Sequence, residues 1–417
     1  MKRIGLIVVL LLLAVFTVQA QDATPEATPQ VVPGVDTPCG AAALEPIANE
    51  ESTLDASLTA TLEGYLKGMV SQGNGVAYSP SIGGVILLET PEGRYFKSVG
   101  VSNIEDCTPL APNSPYAIGS HTKQFIAAVI YQLQEEGLLS VSDPVSQYLP
   151  DEIALFPRSR NATIEQLLTH TSGMPDWEHS ENPESLGARN LDPASGSLDD
   201  HYTREELIAE TAGLQDDPDQ PTFAPGEPGN WFYSNTGYVL LGMIIEQVTG
   251  QSWIDAVTER ILEPLGMDHT VFINEVASPE LGLPQSFYSS PFTYDTTGWD
   301  YSQADAAGNG ISTAEDMAIF IRALYSGELF KDPATLQAML QPAAPGYPEF
   351  NDLFYYMHGG FYQFGWLTHT GGTYGFTNAA GYEPTRDMVA VAWTNSGSGI
   401  GGQMMGAFAQ ALGTIGQ

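Results

Sequence analysis

Apolar positions follow different periods along the chain, and each period predicts a different element. From Leu54 to Met69 the apolar residues recur at helical spacing, which predicts an amphipathic helix. The stretch 83–100 contains two extended apolar runs around a turn at Pro91, the pattern of a β-hairpin. A further run from Phe125 to Leu133 is too apolar for a surface helix and predicts a buried one. We expect that helix to end at Gly137, which suits a left-handed cap.

The rest of the chain alternates between helical and extended patterns. Thr163 and Gln166 have capping-box spacing and predict a short helix after them. Further helices are predicted over Arg204–Gly213, Asn235–Val248, Trp253–Leu262 and Ser312–Leu324 and near Met404–Leu412, and strands over Phe361–Thr368, Gly375–Tyr382 and Met388–Trp393. Because strands lie near both ends with helices between them, we predict an α+β fold. Its antiparallel sheet is built from the terminal segments, with a mostly helical subdomain inserted at about 115–310.

The N-terminal segment has the pattern of a secretory signal peptide at residues 1–20. Lys2 and Arg3 precede an apolar run of about 15 residues, shorter than the ~20 that a membrane span needs. An uncleaved anchor is the alternative. Residues 21–48 are rich in Pro and Thr and are expected to form a disordered linker, followed by one folded domain at 49–417. We therefore expect a secreted or periplasmic protein, with no stable membrane insertion after signal cleavage.

Charge and cysteine content narrow the classes of partner. The formal net charge is −36, which excludes the clustered basic surface that nucleic-acid binding requires. Cys39 and Cys107 predict a single disulfide in an exported chain. Neither the cysteines nor the seven histidines have metal-ligand spacing, so we expect no metal and no cofactor. The acidic stretch from Trp177 to Pro221 is interpreted as a solvated insertion, with a lid over a substrate cleft as the alternative.

The first candidate for chemistry is Ser120-x-x-Lys123, at the start of the predicted buried helix. Residues three apart share a helix face, so the amine of Lys123 can reach the Ser120 oxygen and take its proton. Orphan N–H groups at the helix start would favour developing negative charge. Only Lys123 among the five lysines has a serine three residues before it. On its own, the pattern is equally that of a surface lysine after a capping serine.

Two further stretches carry polar groups suited to hydrolysis. Tyr233 and Asn235 are two residues apart before an apolar helix, where a phenol can shuttle a proton and an amide can hold a substrate carbonyl. His369 begins the run His-Thr-Gly-Gly372 beside or on a strand, where glycines allow close approach of a substrate. The N–H groups of Gly372 and Ser120 could then form an oxyanion hole. Taken singly, such stretches are more often a packed tyrosine beside a turn asparagine and a structural histidine on a strand.

The three stretches in order resemble the signatures of the penicillin-recognising serine hydrolases, the superfamily of serine β-lactamases and D-alanyl-D-alanine carboxypeptidases. These signatures are Ser-x-x-Lys, Ser-Asp-Asn or Tyr-x-Asn, and Lys-Thr-Gly. The resemblance runs from about residue 50 to the C-terminus. It includes the connecting stretches Leu167–Met174, Phe223–Gly226, Glu263–Met267 and Gly308–Met317.

This resemblance implies roles for the candidate residues. Ser120 would be the acylated nucleophile, and Lys123 with Tyr233 the proton-transfer pair. Asn235 would bind the substrate amide, and Ser120 and Gly372 would form the oxyanion hole. His369, Thr370 and Gly371 would bind the carboxylate end of the substrate.

One departure from the family pattern concerns the third signature, where His369 stands in place of the lysine of many members. This resembles the carboxypeptidase and esterase branch, and a neutral imidazole attracts a carboxylate less than an ammonium does. The predicted function is thus a D-Ala-D-Ala carboxypeptidase or a broad esterase or amidase that acts on a small peptide, ester or β-lactam. A β-lactamase and a non-catalytic binder of cell-wall peptides are the alternatives. The sequence leaves the oligomeric state open.

Overall fold

The computed structural model describes residues 39, 52–71, 81–178, 186, 200–289 and 293–397 of the chain. The predicted signal peptide, the predicted linker apart from Cys39, and the predicted helix near Met404–Leu412 lie outside these residues. Among the residues described, none of the helices has the length and the apolar content that a membrane crossing requires.

The helices predicted within the described residues are all present, and two short helices, Pro150–Ala154 and Pro333–Met339, were not predicted. Their bounds are α1 (Ala56–Ser71), α2 (Thr122–Glu135), α3 (Pro150–Ala154), α4 (Ile164–Leu168), α5 (Arg204–Gly213), α6 (Asn235–Thr249), α7 (Trp253–Val257), α8 (Ala314–Ser326) and α9 (Pro333–Met339). The capping box of Thr163 and Gln166 is present at the start of α4, and Gly137 after α2 has a left-handed φ of 72°. The segment predicted as one helix from Trp253 passes from α7 into a π-helical turn at Thr258–Leu262.

The strands form one large antiparallel sheet and two small ones within the described residues. Their bounds are β1 (Gly83–Thr90), β2 (Gly93–Gly100), β3 (Tyr116–Ala117), β4 (Val271–Phe272), β5 (Phe287–Ser289), β6 (Thr293–Asp295), β7 (Gly310–Ser312), β8 (Phe354–Tyr356), β9 (Phe361–Gln363), β10 (Trp366–Gly372), β11 (Thr377–Glu383) and β12 (Met388–Thr394). The large sheet has the order β2-β1-β12-β11-β10-β9-β8. Its first two strands come from the N-terminal part and the rest from the C-terminal part, which confirms the predicted α+β fold.

Each face of the large sheet covers its own apolar core. Helix α1 packs Leu58, Leu62 and Leu66 against Ile86 and Ala390 on one face. The other face carries the alternate residues of the same strands and packs against α2 and α8. Burial of each leucine side chain stabilises the fold by about 1.5–3 kcal/mol. Period-two alternation along β1 and β12 therefore holds helices on both sides of one sheet.

Helix α2 lies at the centre of the larger core. Its residues from Thr122 to Tyr131 are all buried, and Phe125 stacks on Phe320 with ring centroids 3.5 Å apart. The predicted buried helix is thus confirmed, and its first turn is enclosed by protein. Polar side chains at that turn are consequently removed from water.

One sequence prediction about the strands needs correction, and several short strands were not predicted. The segment Phe361–Thr368, predicted as one strand, is divided into β9 and β10 by a turn at Phe364 and Gly365. Both turn residues have positive φ, 49° and 92°, which ends the extended conformation. The strand β8 and the small sheet β3-β7-β4 were not predicted, because segments of two or three residues carry too little periodicity.

The predicted disulfide between Cys39 and Cys107 is confirmed, with the two Cα atoms 5.4 Å apart. It joins positions 68 residues apart in the sequence. Cys107 lies in the loop between β2 and β3, so the bond fixes the segment that leads to Ser120.

Candidate active site

Ser120 lies in a 3₁₀ turn, Gly119–His121, that leads directly into α2. Gly119 has a φ of 52°, and a Cβ atom there would lie 2.7 Å from the carbonyl oxygen of Gly372. Only glycine accommodates both the left-handed backbone and this close approach of β10. The turn therefore holds the Ser120 hydroxyl between the start of α2 and the end of β10.

Lys123 is fully buried one turn further along α2. Its Nζ atom lies 3.2 Å from Ser120 Oγ, 2.6 Å from Asn235 Oδ1 and 2.8 Å from the carbonyl oxygen of Ala307. Burial lowers the pKa of Lys123 to about 7, and the charges of Glu178 and Asp176 oppose that shift only in part. A neutral amine has two N–H groups for the two carbonyl oxygens, which leaves its lone pair for the proton of Ser120.

Tyr233 lies beside Ser120 and Lys123. Its phenol interacts with the Ser120 side chain, and Lys123 Nζ lies 4.8 Å from the centre of its ring. Burial raises the pKa of Tyr233 well above its usual value, and the neighbouring Ser120 hydroxyl only partly offsets this. The phenol therefore keeps its proton and is suited to donate it.

Asn235 is the first residue of α6 and is held by two carboxylates. Its backbone N–H donates to Asp176 Oδ2, and its Nδ2 donates to Glu178 Oε2 at 3.0 Å. Carboxylates only accept hydrogen bonds, so the amide oxygen must face Lys123. The polar atoms of Asn235 thus orient the lysine, in addition to the substrate contact predicted for them.

His369 lies on β10, on the sheet face that contacts α2. Its Nδ1 donates to the carbonyl oxygen of Thr370 at 2.5 Å, and its ring is surrounded by Tyr233, Tyr356 and Phe361. Burial lowers the pKa of His369 well below its ordinary value, and His121 and Lys123 lower it further. The imidazole is neutral at pH 7, so it offers no positive charge to a substrate carboxylate.

Thr370 and the two glycines follow on the part of β10 beyond its pairing with β9, which ends at Thr368. Thr370 lies opposite Ala379, on the other face of the strand from His369. A Cβ atom at Gly371 would lie 2.0 Å from the carbonyl oxygen of Ile118, so this glycine allows the strand to approach the nucleophile turn. Gly372 is exposed beside Ser120, where its predicted role in an oxyanion hole is sterically available.

A cavity of about 270 Å³ opens in front of Ser120. Its lining comprises Ser120, Trp177, Glu178, Asn235, Tyr288, Trp299, Ala304, Ala307, Gly308, Gly372, Thr373 and Tyr374. None of the described residues that line it is Lys, Arg or His. The lining therefore contains four aromatic side chains, Trp177, Tyr288, Trp299 and Tyr374, and its charged side chain is the carboxylate of Glu178.

Several of these contributors were not predicted from the sequence. Trp177 and Glu178, at the start of the acidic stretch interpreted as a solvated insertion, and Asp176 directly before it border the site. Their spacing matches no known motif. The carbonyl group of Ala307 could not be predicted either, since every residue has a backbone carbonyl. Within the described ranges, no group of His, Cys, Asp and Glu side chains is arranged to hold a metal ion.

A buried lysine beside a serine, with a phenol and two backbone N–H groups nearby, is the catalytic arrangement of a serine hydrolase. The family model described as Beta-lactamase matches residues 67–414, so the chain belongs to the beta-lactamase family. This match confirms the resemblance to the penicillin-recognising serine hydrolases.

Among curated proteins, penicillin-binding protein 4* of Bacillus subtilis is 29% identical over 323 residues, which cover 71% of this chain and 64% of that protein. Teichoic acid D-alanine hydrolase of Staphylococcus aureus is 25% identical over 273 residues, which cover 64% of this chain and 60% of that protein. The chain thus spans less than two thirds of the length of these curated relatives.

Two solved structures are similar over most of the chain. A D-stereospecific amidohydrolase from Streptomyces sp. matches with a TM-score of 0.68 and 28% identity, covering 81% of this chain and 94% of that one. The D-amino acid amidase of Ochrobactrum anthropi SV3 complexed with D-phenylalanine matches with a TM-score of 0.69 and 25% identity, covering 86% and 99% respectively.

Proposed function

We propose that this chain is a serine hydrolase that forms an acyl-enzyme on Ser120 from amides or esters of D-amino acids with a free α-amino group. The observation that carries the reaction type is the Lys123 amine, 3.2 Å from Ser120 Oγ, with a pKa lowered to about 7 by burial. A lysine with that pKa is partly neutral at physiological pH and can act as a general base.

In acylation, Lys123 takes the proton of Ser120 while Oγ bonds to the substrate carbonyl carbon. The N–H groups of Ser120 and Gly372 would stabilise the resulting oxyanion. When the carbon–nitrogen or carbon–oxygen bond breaks, Tyr233 gives its proton to the leaving amine or alkoxide and regains one from the Lys123 ammonium. Water then attacks the ester carbonyl, which releases the acid, and its proton passes through the same pair to restore Ser120.

The substrate class follows from the charge of the cavity. A substrate ammonium would meet the carboxylate of Glu178 and the aromatic faces of Trp177 and Tyr374, all of which attract a cation. A substrate carboxylate would meet no cationic lining residue among those described, because Lys123 is engaged and His369 is neutral. This favours an amidase or esterase over a D-Ala-D-Ala carboxypeptidase or a β-lactamase, whose substrates carry a carboxylate.

The comparisons support the stereochemical part of the proposal. One relative is named for hydrolysis of D-alanine on teichoic acid, and two similar structures are named a D-amino acid amidase and a D-stereospecific amidohydrolase. We also propose that the protein works outside the cytoplasm. The N-terminal pattern and the Cys39–Cys107 bond support this, since disulfides persist mainly in oxidising compartments.

The test compares D-phenylalanine p-nitroanilide with its L-isomer and with its N-acetyl derivative, on wild type and on Ser120→Ala. We expect a clear preference for the D-isomer and a fall of about 100-fold on N-acetylation, since an acetylated nitrogen loses its charge. Ser120→Ala should lose about 10⁴-fold in kcat/KM or more. Intact mass after brief incubation with an activated D-alanyl ester should show an adduct on wild type alone.

Other outcomes would replace the proposal. Faster cleavage of an N-acetylated peptide ending in D-Ala-D-Ala would indicate a carboxypeptidase, and rapid turnover of penicillin a β-lactamase. An adduct or turnover that persists in Ser120→Ala would remove the nucleophile assignment. Binding without any acylation would indicate a non-catalytic binder.

A further inference from the structure

Arg204 is the first residue of helix α5 and belongs to the acidic stretch from Trp177 to Pro221. Its guanidinium lies between two carboxylates, with Nε 2.6 Å from Asp305 Oδ2 and Nη1 2.6 Å from Glu246 Oε2. Charges removed from water in this way need paired, hydrogen-bonded geometry. The ion pair of the largely buried Arg204 with the buried Asp305 links the acidic stretch to the turn beside the cavity.

Asp305 is the residue of that turn which Arg204 contacts. Its carboxylate is 3% exposed and also accepts from Trp253 Nε1 at 3.0 Å. Its backbone has a φ of 38°, in the left-handed region that side chains other than glycine rarely adopt. Such a conformation persists where the surroundings hold it in place. Here the donors from Arg204 and Trp253 hold the side chain and thereby the backbone.

The turn Asp305–Ala307 ends at the carbonyl group that contacts the catalytic amine. The N–H groups of Gly308 and Asn309 both donate to the carbonyl oxygen of Asp305 at 3.1 Å, which closes the turn. The carbonyl oxygen of Ala307 then lies 2.8 Å from Lys123 Nζ. A rigid path of hydrogen bonds therefore runs from Arg204 through Asp305 to Lys123.

We infer that Asp305, held by Arg204, is a positioning residue that fixes the Ala307 carbonyl and with it the lone pair of Lys123 toward Ser120. This inference rests on the proposed serine-hydrolase reaction. If the Ala307 carbonyl moved away, Asn235 Oδ1 would be the one carbonyl oxygen left to accept from the amine, and the amine could rotate about that hydrogen bond. Misplacement of a reacting group by about 1 Å can lower a rate by about 100-fold.

Glu246 supplies a matched control in the same network. It contacts the same guanidinium at the same 2.6 Å distance, but it lies on α6, and its other contact is the backbone N–H of Trp253. Loss of either carboxylate weakens the ion pair. Loss of Asp305 alone releases the turn that carries the Ala307 carbonyl.

The experiment compares Asp305→Ala, Asp305→Asn and Glu246→Gln with wild type, using p-nitrophenyl acetate as substrate. The amplitude of the initial burst of p-nitrophenol gives the number of active sites. For Asp305→Ala we expect kcat per titrated site to fall about 30- to 100-fold with KM changed less than about threefold. Asp305→Asn should lose less, because Asn tolerates positive φ and its amide oxygen can still accept from Trp253. Glu246→Gln should stay within about twofold of wild type per site.

A merely structural role would reduce the fraction of titratable sites and leave kcat per site unchanged, and that result would overturn the inference. An equal loss per site in Glu246→Gln would also overturn it. Crystal structures of the variants give a readout independent of turnover. We expect the distance from Ala307 O to Lys123 Nζ to exceed 3.5 Å in Asp305→Ala and to stay near its wild-type value in Glu246→Gln. An unchanged distance in Asp305→Ala would refute the positioning role even if the wild type proved inactive.

Discussion

Lys123 is fully buried and Arg204 largely buried, in neighbouring regions of the molecule, and the surroundings of these two basic side chains have opposite effects. Lys123 contacts two carbonyl oxygens and one hydroxyl, and the nearest carboxylates act on it through Asn235. Burial lowers its pKa to about 7, which Glu178 and Asp176 only partly oppose. Burial also disfavours the charge of Arg204, but direct contacts with Asp305 and Glu246 outweigh it and raise the pKa.

The partners within hydrogen-bond reach therefore decide whether a basic side chain removed from water carries a charge. Neutral acceptors around Lys123 favour an amine that can take a proton, whereas carboxylates around Arg204 favour a permanent charge that can only hold structure. The surroundings of Lys123 therefore favour proton transfer, whereas those of Arg204 hold the neighbouring backbone in place.

The strongest test of this contrast is Lys123→Arg. A guanidinium stays charged in proteins and cannot accept the Ser120 proton, so the variant should be as inactive as Lys123→Ala, about 10³- to 10⁴-fold below wild type in kcat/KM. Acylation rates with an activated ester measure this. Activity in the arginine variant well above that of the alanine variant would show that a neutral base is not required.

A second test removes the charge from the other region. Arg204→Met leaves the buried carboxylate of Asp305 and the half-buried carboxylate of Glu246 without their cation, and the free energy of unfolding at pH 7 should fall by about 3 kcal/mol. Urea denaturation gives the value. Arg158→Met is the control, since Arg158 contacts Asp216 at 3.2 Å at an exposed site and should cost no more than about 1 kcal/mol. Equal losses of unfolding free energy in Arg204→Met and Arg158→Met would contradict a structural role for the Arg204 ion pairs.

The smallest expected effect concerns pH. Lys123 is the base only when unprotonated, so kcat/KM for a neutral ester should rise with pH through about 7. Because the charge of Glu178 raises the pKa of Lys123, Glu178→Gln should move this limb to lower pH and increase the rate at pH 6 by about two- to fivefold. An ester without an amino group avoids the proposed ammonium contact of Glu178. A limb that moves to higher pH would be inconsistent with this electrostatic account.

Local patterns predicted the elements that carry strong periodicity or caps. The hairpin around Pro91 and helix α5 lie where the sequence indicated, because alternation and capping act over a few residues. The break between β9 and β10 was not predicted, because nothing in the residue type of Phe364 indicates its positive φ. Tertiary contacts, not local preference, decide such a position.

The candidate site was predictable to the extent that residue type carries the chemistry. The spacing of Ser120 and Lys123 placed them side by side on one helix, and the structure brings Tyr233 and Asn235 to them. The carbonyl of Ala307 could not be predicted, because every residue has one and only the fold selects it. Likewise the neutral state of His369 depends on its burial among aromatic rings.

The disulfide also determines how mechanical load would travel through the chain. A pulling force applied before Cys39 passes through the bond to Cys107 and bypasses α1 and the β1–β2 hairpin, which lie within the 68-residue span it closes. While the bond is intact, those elements cannot be peeled from the sheet by a pull from the N-terminal side. The tension is instead delivered to the loop that leads into β3 and the nucleophile turn.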